Sequence, residues 1–152
     1  MRLLELVLNK RKIITIALFI SFTIFVIWFA LLKREPEHQR IFKPELFWAI
    51  RAWLAGEYNG RAETIQYFEN ILFFIPFGLL FPWKEKWPLV FICALTLSIV
   101  IEVVQFIFSL GWCEIDDVIT NTAGAMIGYW GYVIIRKNCM RYRGEKRNNH
   151  VD

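Results

Sequence analysis

The sequence predicts an all-α membrane protein with four transmembrane helices and one amphipathic helix at the membrane interface. The chain of 152 residues is 57% hydrophobic, and its apolar runs are too long and too free of charge to lie exposed in water. Of its 18 Lys and Arg residues, 4 lie in the first twelve residues and 6 follow Ile135. Basic ends that flank apolar runs are typical of membrane topology. One domain covering residues 1–152 is therefore expected.

The first span is predicted at residues 13–32, a run of twenty residues without a charge. A cleavable signal peptide has a shorter apolar core and small residues at its cleavage site, so this run is expected to remain as a helix. In the polar connection that follows, residues 44–55 place Leu46, Ile50 and Trp53 at helical spacing. That pattern predicts an amphipathic helix at the interface, which serves either as an anchor or as a lid over a substrate.

The second span, at residues 66–83, has the weakest signal. Only residues 71–83 are continuously apolar, and thirteen residues are too few to cross the hydrocarbon layer. A re-entrant hairpin is therefore the alternative. Pro76 is expected to kink the helix, and Gly78 leaves room for a neighbouring helix. Residues 82–88 are predicted to form a tight basic turn.

The third span, at residues 87–110, contains Glu102 and Gln105 three residues apart on one helix face. A charge in the middle of a membrane helix costs about 2.5–3.5 kcal/mol, so such a residue tends to face a bundle interior or a water-filled cavity. No Lys or Arg lies in any predicted span. Glu102 is therefore expected to be protonated, in water, or bonded to the amides of Gln105, Asn70 or Asn121.

The fourth span, at residues 118–135, carries Gly124 and Gly128 as a GxxxG pattern, and Gly131 extends the same strip. Small residues at this spacing let two membrane helices approach closely. The residues expected to act structurally are Pro76, Gly78, Gly124 and Gly128.

The positive-inside rule sets the orientation. With four spans, the N-terminus, the turn at residues 84–86 and the tail share one side and hold twelve of the 18 basic residues. Both termini are therefore expected in the cytoplasm. The polar residues of the spans then lie toward the opposite side. They are predicted to converge in one extracytoplasmic site for a ligand, formed by Asn70, Glu102, Gln105, Asp117 and Asn121.

Some of these residues also have a structural interpretation. Asp116 or Asp117 is expected to cap the fourth helix, because the helix dipole favours a carboxylate at its start. Asn70 and Asn121 are either ligand contacts or hydrogen-bonding contacts between helices.

Other kinds of site find little support. Cys93 and Cys113 fall at opposite ends of one predicted helix and Cys139 lies beyond the last span, so neither a disulfide framework nor a zinc motif is expected. His38 and His150 lie in polar segments without neighbours that resemble metal ligands. We expect membrane lipids as partners, and no metal, cofactor or nucleic acid.

Several short stretches follow one another within residues 66–132, namely residues 70–78, Glu102 with Gln105, residues 115–119, and Asn121, Thr122, Gly124 and Gly128. In their order, these features resemble the VanZ family of membrane proteins. A Gly-Arg pair that often follows the third helix in that family is absent, since Gly111 precedes Trp112 here. The family is named for a protein linked to low-level teicoplanin resistance, and the resemblance implies a multi-pass protein of the bacterial cytoplasmic membrane that acts at the outer leaflet or cell wall.

Three functions are compatible with these observations. The first is binding of an envelope component, such as a lipid headgroup or a lipid-linked cell-wall precursor, with an effect on teicoplanin susceptibility. The second is an intramembrane enzyme for a lipid-linked phosphate, with Glu102, Asp116 and Asp117 as candidate acids, bases or ligands of Mg²⁺ or Ca²⁺. The third is an assembly partner that docks on another membrane protein through Gly124 and Gly128. The sequence leaves the oligomeric state open.

Overall fold

The computed structural model of the chain describes residues 2–32, 40–57, 60–82 and 86–148. Helices dominate these ranges and confirm the all-α prediction. Two short strands accompany them. The elements in chain order are α1 (Arg2–Leu32), β1 (Ile41–Lys43), α2 (Trp48–Leu54), α3 (Gly60–Leu80), α4 (Trp87–Phe108), β2 (Trp112–Glu114) and α5 (Ile115–Asn148).

Three helices of the described ranges are long and apolar enough to cross a membrane, through Asn9–Leu31 of α1, Trp87–Phe108 of α4 and Ile115–Tyr142 of α5. The chain is therefore a membrane protein. With 21 residues, α3 is also long enough to span the hydrocarbon layer, but its first half carries charged side chains such as Arg61 and Glu69. The fourth crossing accordingly stays a prediction.

The α3 helix runs without interruption through Pro76, which excludes the re-entrant hairpin. It packs against α5 with the two backbones in direct contact. A β-carbon added to Gly124 would lie 2.2 Å from the Ile71 carbonyl oxygen, and one added to Gly78 would lie 1.8 Å from the Ala125 carbonyl oxygen. Only glycine allows this approach at the two positions.

The α3–α5 contact follows a line of glycines that ends before Gly131. A β-carbon on Gly128 would lie 1.9 Å from the Ile75 carbonyl oxygen, whereas one on Gly131 would meet nothing within 4 Å. Extending the packing strip to Gly131 was therefore wrong. Beyond Gly128, α5 has moved away from α3, which ends at Leu80.

Apolar and polar residues separate along the length of the bundle. The aromatic core lies toward the end of α3, where Phe19 of α1 packs on Phe77 and Phe81 with ring centroids 5.0 and 5.3 Å apart. Val90, Ala94 and Tyr129 complete it from α4 and α5. Buried polar side chains lie toward the opposite end, near the starts of α3 and α5; they are Thr64, Ser98, Glu102, Gln105, Glu114, Asp116, Asp117, Thr120, Asn121 and Thr122.

Residues 40–57, which we call the clasp, cover this polar end. Strand β1 pairs in parallel with β2 in a register that places Ile41 opposite Trp112 and Lys43 opposite Glu114. The pairing was not predicted, and it moves the start of α2 to Trp48, four residues after the predicted start at Pro44.

The α2 helix packs through small residues and leaves larger apolar ones outside. Ala49 and Ala52 are buried, and a β-carbon on Gly60 of α3 would lie 2.2 Å from the Trp53 backbone nitrogen. Leu54 is 82% exposed. Its exposed apolar side chains are compatible with the predicted place at a membrane interface.

Two sequence predictions fall on parts of the chain that lie outside the described residues. They concern the centre of the basic turn, at residues 83–85, and the solvated histidines His38 and His150.

Candidate functional site

A cavity of 630 Å³ lies in the polar half of the bundle, between α1, α3, α4 and α5. Its apolar lining includes Phe29 of α1 and Phe73 of α3. Its polar lining includes all five side chains that the sequence predicted for one ligand site, namely Asn70, Glu102, Gln105, Asp117 and Asn121.

Glu102 is held by the backbone of strand β2, which follows its own helix. The side chain is 3% exposed, and its Oε2 accepts the backbone N–H of Glu114 at 3.0 Å. The sequence suggested amide side chains as its partners, but this donor belongs to the main chain. A hydrogen bond from a backbone N–H lowers the cost of burying a carboxyl group in an apolar helix. It also fixes the group at the cavity wall.

Gln105 lies one helical turn further along α4 and is 1% exposed. Its Nε2 donates to the Ala30 carbonyl oxygen of α1 at 3.1 Å. Its Oε1 is buried and has no hydrogen-bond partner among the residues that the structure describes. A buried amide oxygen without a donor is costly to the folded state.

The two asparagines join helices and line the cavity as well. Asn70 Nδ2 of α3 donates to Asp117 Oδ1 of α5 at 2.8 Å, and Asn121 Nδ2 of α5 donates to Ser98 Oγ of α4 at 2.9 Å. These bonds between helices are one of the two interpretations left open by the sequence, and both side chains also lie at the cavity surface.

Asp116 has a different place from its neighbour Asp117. It is 1% exposed and does not line the cavity. Its Oδ1 accepts the backbone N–H of Phe47 at 2.9 Å, and its Oδ2 accepts the hydroxyl of Tyr67. The Tyr67 oxygen in turn accepts the backbone N–H of Ala49 at 3.3 Å. Asp116 thus ties the clasp to α3 and α5. Like Asp117, it lies in the first turn of α5, where the helix dipole favours a carboxylate, but it is not part of the cavity lining.

The hydrogen bond from the Phe47 N–H to Asp116 supports a left-handed backbone at Phe47, where φ is 52°. Such a conformation is unfavourable for a bulky residue. The bond from its N–H to a buried carboxylate stabilises it and sets the entry into α2.

A second contact of the clasp surrounds Lys43. Its Nζ lies 3.2 Å from the ring centroid of Trp48 and 3.4 Å from that of Trp112, so the ammonium is enclosed between two indoles. The Trp48 indole N–H donates to Glu114 Oε2 at 3.0 Å. Burial lowers the pKa of Lys43, an effect that Glu114 opposes. Burial likewise raises the pKa of Glu114, against the action of Trp48 and Lys43.

Lys43→Ala is expected to loosen the clasp by about 1 kcal/mol through the loss of two cation–π contacts. Lys43→Arg should retain most of that energy, because a guanidinium also stacks on indoles. Tryptophan fluorescence and thermal unfolding of the purified chain would measure both variants. Identical melting curves for Lys43→Ala and the wild type would show that the contact adds nothing to stability.

The charges around the cavity are all of one sign among the described residues. Its lining contains the carboxyl groups of Glu63, Glu69, Glu102 and Asp117, and no Lys, Arg or His. These carboxyl groups do not form a tight cluster, since no three Asp, Glu, His or Cys residues within the described ranges are placed to hold a metal ion.

Sequence reasoning missed the contributions of α1 and of the start of α3. Glu63, Gln66 and Asn70 line the cavity at spacings of three and four residues, a pattern typical of one helix face. The predicted second span began at residue 66 and therefore left Glu63 out. Nothing in the sequence distinguishes Phe29 as a cavity residue, because it is one of many apolar residues in an uncharged run.

Comparison with known proteins adds an independent observation. The model of the VanZ/LLP1 family matches residues 11–136, a range that contains the clasp and every residue lining the cavity. Protein VanZ of Enterococcus faecium is 32% identical to this chain over 130 residues, which are 84% of the chain and 78% of that protein. No solved structure matches the chain.

Proposed function

The chain belongs to the VanZ/LLP1 family, and from this premise we propose that its cavity binds a component of the bacterial cell envelope and thereby alters susceptibility to teicoplanin. The observation that carries the proposal is the convergence of polar side chains from separate helices on one cavity. Asn70 comes from α3, Glu102 and Gln105 from α4, and Asp117 and Asn121 from α5. Polar groups inside membrane helices are costly, and they tend to mark a substrate or ligand path.

The dimensions of the cavity fit a headgroup-sized ligand. Pockets for small molecules measure about 300–1,000 Å³, and this one measures 630 Å³. A lipid headgroup or part of a lipid-linked precursor would enter it from the surrounding membrane. The exposed Trp53 and Leu54 of the clasp would rest at the membrane interface beside that entrance.

The orientation that we propose places the cavity on the extracytoplasmic side. Two groups of basic residues lie at the end of the bundle opposite the cavity. One is near the start of α1 and contains Lys10, Arg11 and Lys12, and the other is in the second half of α5 and contains Arg136 and Lys137. Under the positive-inside rule, the basic end faces the cytoplasm. An envelope component of the outer leaflet would then have direct access to Asp117 and Asn121.

Neither of the other candidate functions gains a specific observation. Asp116, a candidate acid, is bonded into the clasp. Docking on another protein through Gly124 and Gly128 conflicts with the contact that both residues make with α3.

The proposal predicts that conservative changes at the cavity remove the phenotype. In a teicoplanin-sensitive bacterial host, the wild-type chain should shift the minimum inhibitory concentration of teicoplanin. Glu102→Gln, Asp117→Asn and Asn121→Ala should return it to the value of the empty vector, because each removes a polar group that faces the ligand.

Ile99→Ala is the matched control, since Ile99 lies on α4 but is 44% exposed outside the cavity. All variants must reach the membrane in wild-type amounts, as measured by immunoblot. If the three cavity variants at that abundance leave teicoplanin susceptibility and the lipid profile as the wild type has them, the proposed function is wrong.

A further inference from the structure

Residues 114–117, which we call the junction, contact both the clasp and the wall of the cavity. On the clasp side, the Trp48 indole N–H donates to Glu114 Oε2 at 3.0 Å. The Phe47 backbone N–H donates to Asp116 Oδ1 at 2.9 Å. Glu114 and Asp116 are 7% and 1% exposed. The clasp is therefore bonded to buried carboxyl groups of the junction.

The junction contacts the cavity wall through different atoms. The Glu114 backbone N–H donates to Glu102 Oε2 at 3.0 Å, and Asp117 Oδ1 accepts the side-chain N–H of Asn70 at 2.8 Å. Glu102, Asp117 and Asn70 all line the cavity, whereas its described lining includes no residue of the clasp. The junction thus provides a continuous path of hydrogen bonds from the clasp to the cavity.

The two sets of contacts meet at Glu114. Its backbone pairs with Lys43 of β1, its side chain accepts the N–H of Trp48 in α2, and its own N–H holds one oxygen of Glu102 in α4. The Lys43 ammonium lies between the indoles of Trp48 and Trp112, whose ring centroids are 6.0 Å apart. Closely packed interiors transmit strain. Release of β1 and α2 would therefore shift the Glu114 peptide and disturb its bond to Glu102.

We propose that the clasp regulates the cavity. When the clasp is closed, it holds Glu102 and Asp117 in place through the junction, and its release loosens that wall and lets a ligand enter. The inference rests on the proposed function, because the ligand whose entry is regulated is the envelope component. Glu114 acts as a positioning residue, whose effect on the ligand passes through Glu102. Coupling between two sites is reciprocal, so the state of the cavity wall also affects the clasp.

The test measures the rate at which N-ethylmaleimide labels Asn121→Cys in the purified full chain in a maltoside detergent, with the cysteines at 93, 113 and 139 replaced by serine. Asn121 lines the cavity and is 6% exposed, so its labelling reports access to the cavity. Trp48→Phe removes the N–H that Glu114 accepts, and it should raise the labelling rate roughly five-fold or more, as is typical of coupled sites. Lys43→Ala should raise the rate as well, because it loosens the same part of the clasp.

Two controls separate coupling from general destabilisation. Glu45→Ala changes an exposed side chain of the clasp and leaves the bonds to the junction intact. Phe81→Leu weakens the aromatic core at the other end of the bundle, where Phe81 is 1% exposed. Both should be labelled at the rate of the unmodified clasp.

The reciprocal effect is measured by hydrogen exchange. Asn70→Ala removes the bond to Asp117 and lies outside the clasp. It should accelerate exchange in residues 47–54 by a factor similar to that by which Trp48→Phe accelerates labelling.

The inference is wrong if Trp48→Phe and Lys43→Ala both leave the labelling rate unchanged, if Phe81→Leu raises it as much as they do, or if Asn70→Ala leaves exchange in the clasp unchanged. Its failure differs from that of the proposed function. Loss of the teicoplanin phenotype in the cavity variants, together with unchanged labelling in Trp48→Phe, would reject the regulation and keep the proposed function. Faster labelling in Trp48→Phe without any teicoplanin phenotype would support the coupling and reject the proposed function.

Discussion

Gly128→Ala is expected to lower the free energy of unfolding by about 3 kcal/mol. The added β-carbon would lie 1.9 Å from the Ile75 carbonyl oxygen and 3.0 Å from the Leu79 backbone nitrogen. Both atoms belong to the backbone of α3, so no side-chain rotation relieves the overlap. The two helices must separate, and that separation also widens the wall of the cavity that they form together.

The same substitution three residues later supplies the control. Gly131→Ala places its β-carbon where nothing lies within 4 Å, and alanine favours a helix over glycine by up to about 1 kcal/mol. It should therefore be neutral or slightly stabilising. Unfolding of both variants in mixed detergent micelles would measure the difference. Equal stability of Gly128→Ala and Gly131→Ala would contradict the close contact of α3 with α5.

Asp116→Ala is expected to release the clasp at a cost of about 3 kcal/mol, because a buried donor and a partly buried donor lose their acceptor. These donors are the backbone N–H of Phe47 and the hydroxyl of Tyr67. The left-handed backbone at Phe47 would lose its support at the same time. Hydrogen exchange should accelerate throughout residues 40–57 and much less in α4.

Two further variants test this assignment. Tyr67→Phe removes the hydroxyl that donates to Asp116 and accepts the N–H of Ala49, but it leaves the bond from Phe47 to Asp116. Hydrogen exchange in the clasp should therefore be faster than in the wild type and slower than in Asp116→Ala. Glu45→Ala removes a carboxylate of the clasp that only approaches Arg51 at 3.7 Å on the surface, and exposed pairs of this kind contribute little. If exchange in the clasp of Asp116→Ala matched that of Glu45→Ala, Asp116 would have no role in holding it.

Local features of the sequence were enough to find the helices and the centre of the cavity. Glu102 and Gln105 stand three residues apart in an apolar run, so a helix necessarily places them on one side. Gly124 and Gly128 follow the spacing of a packing face, and the structure has α3 in contact with both. In each case the physical cause lies within a few residues along the chain.

Contacts between distant segments were beyond such reasoning. Ile41 pairs with Trp112 across nearly half of the chain, and three-residue strands carry no periodicity of their own. Asp116 and Asp117 look alike in sequence, yet neighbouring positions on a helix point about 100° apart. Only the packing of α2 and α3 decides that Asp116 faces the clasp and Asp117 faces the cavity.

The central claim, that a polar cavity inside the bundle opens away from the cytoplasm, is tested most directly by labelling Asn121→Cys in intact cells. The background chain would have its cysteines at 93, 113 and 139 replaced by serine. Asn121 is 6% exposed, so a membrane-impermeant thiol reagent reaches this position only through a water-filled cavity.

Two control positions frame the result. Ile99→Cys faces away from the cavity and should stay unlabelled, and Lys137→Cys at the basic end should react only after the cells are permeabilised. The account predicts that Asn121→Cys is labelled in intact cells. The claim would be contradicted if Asn121→Cys were labelled only after permeabilisation, or if it remained as unreactive as Ile99→Cys.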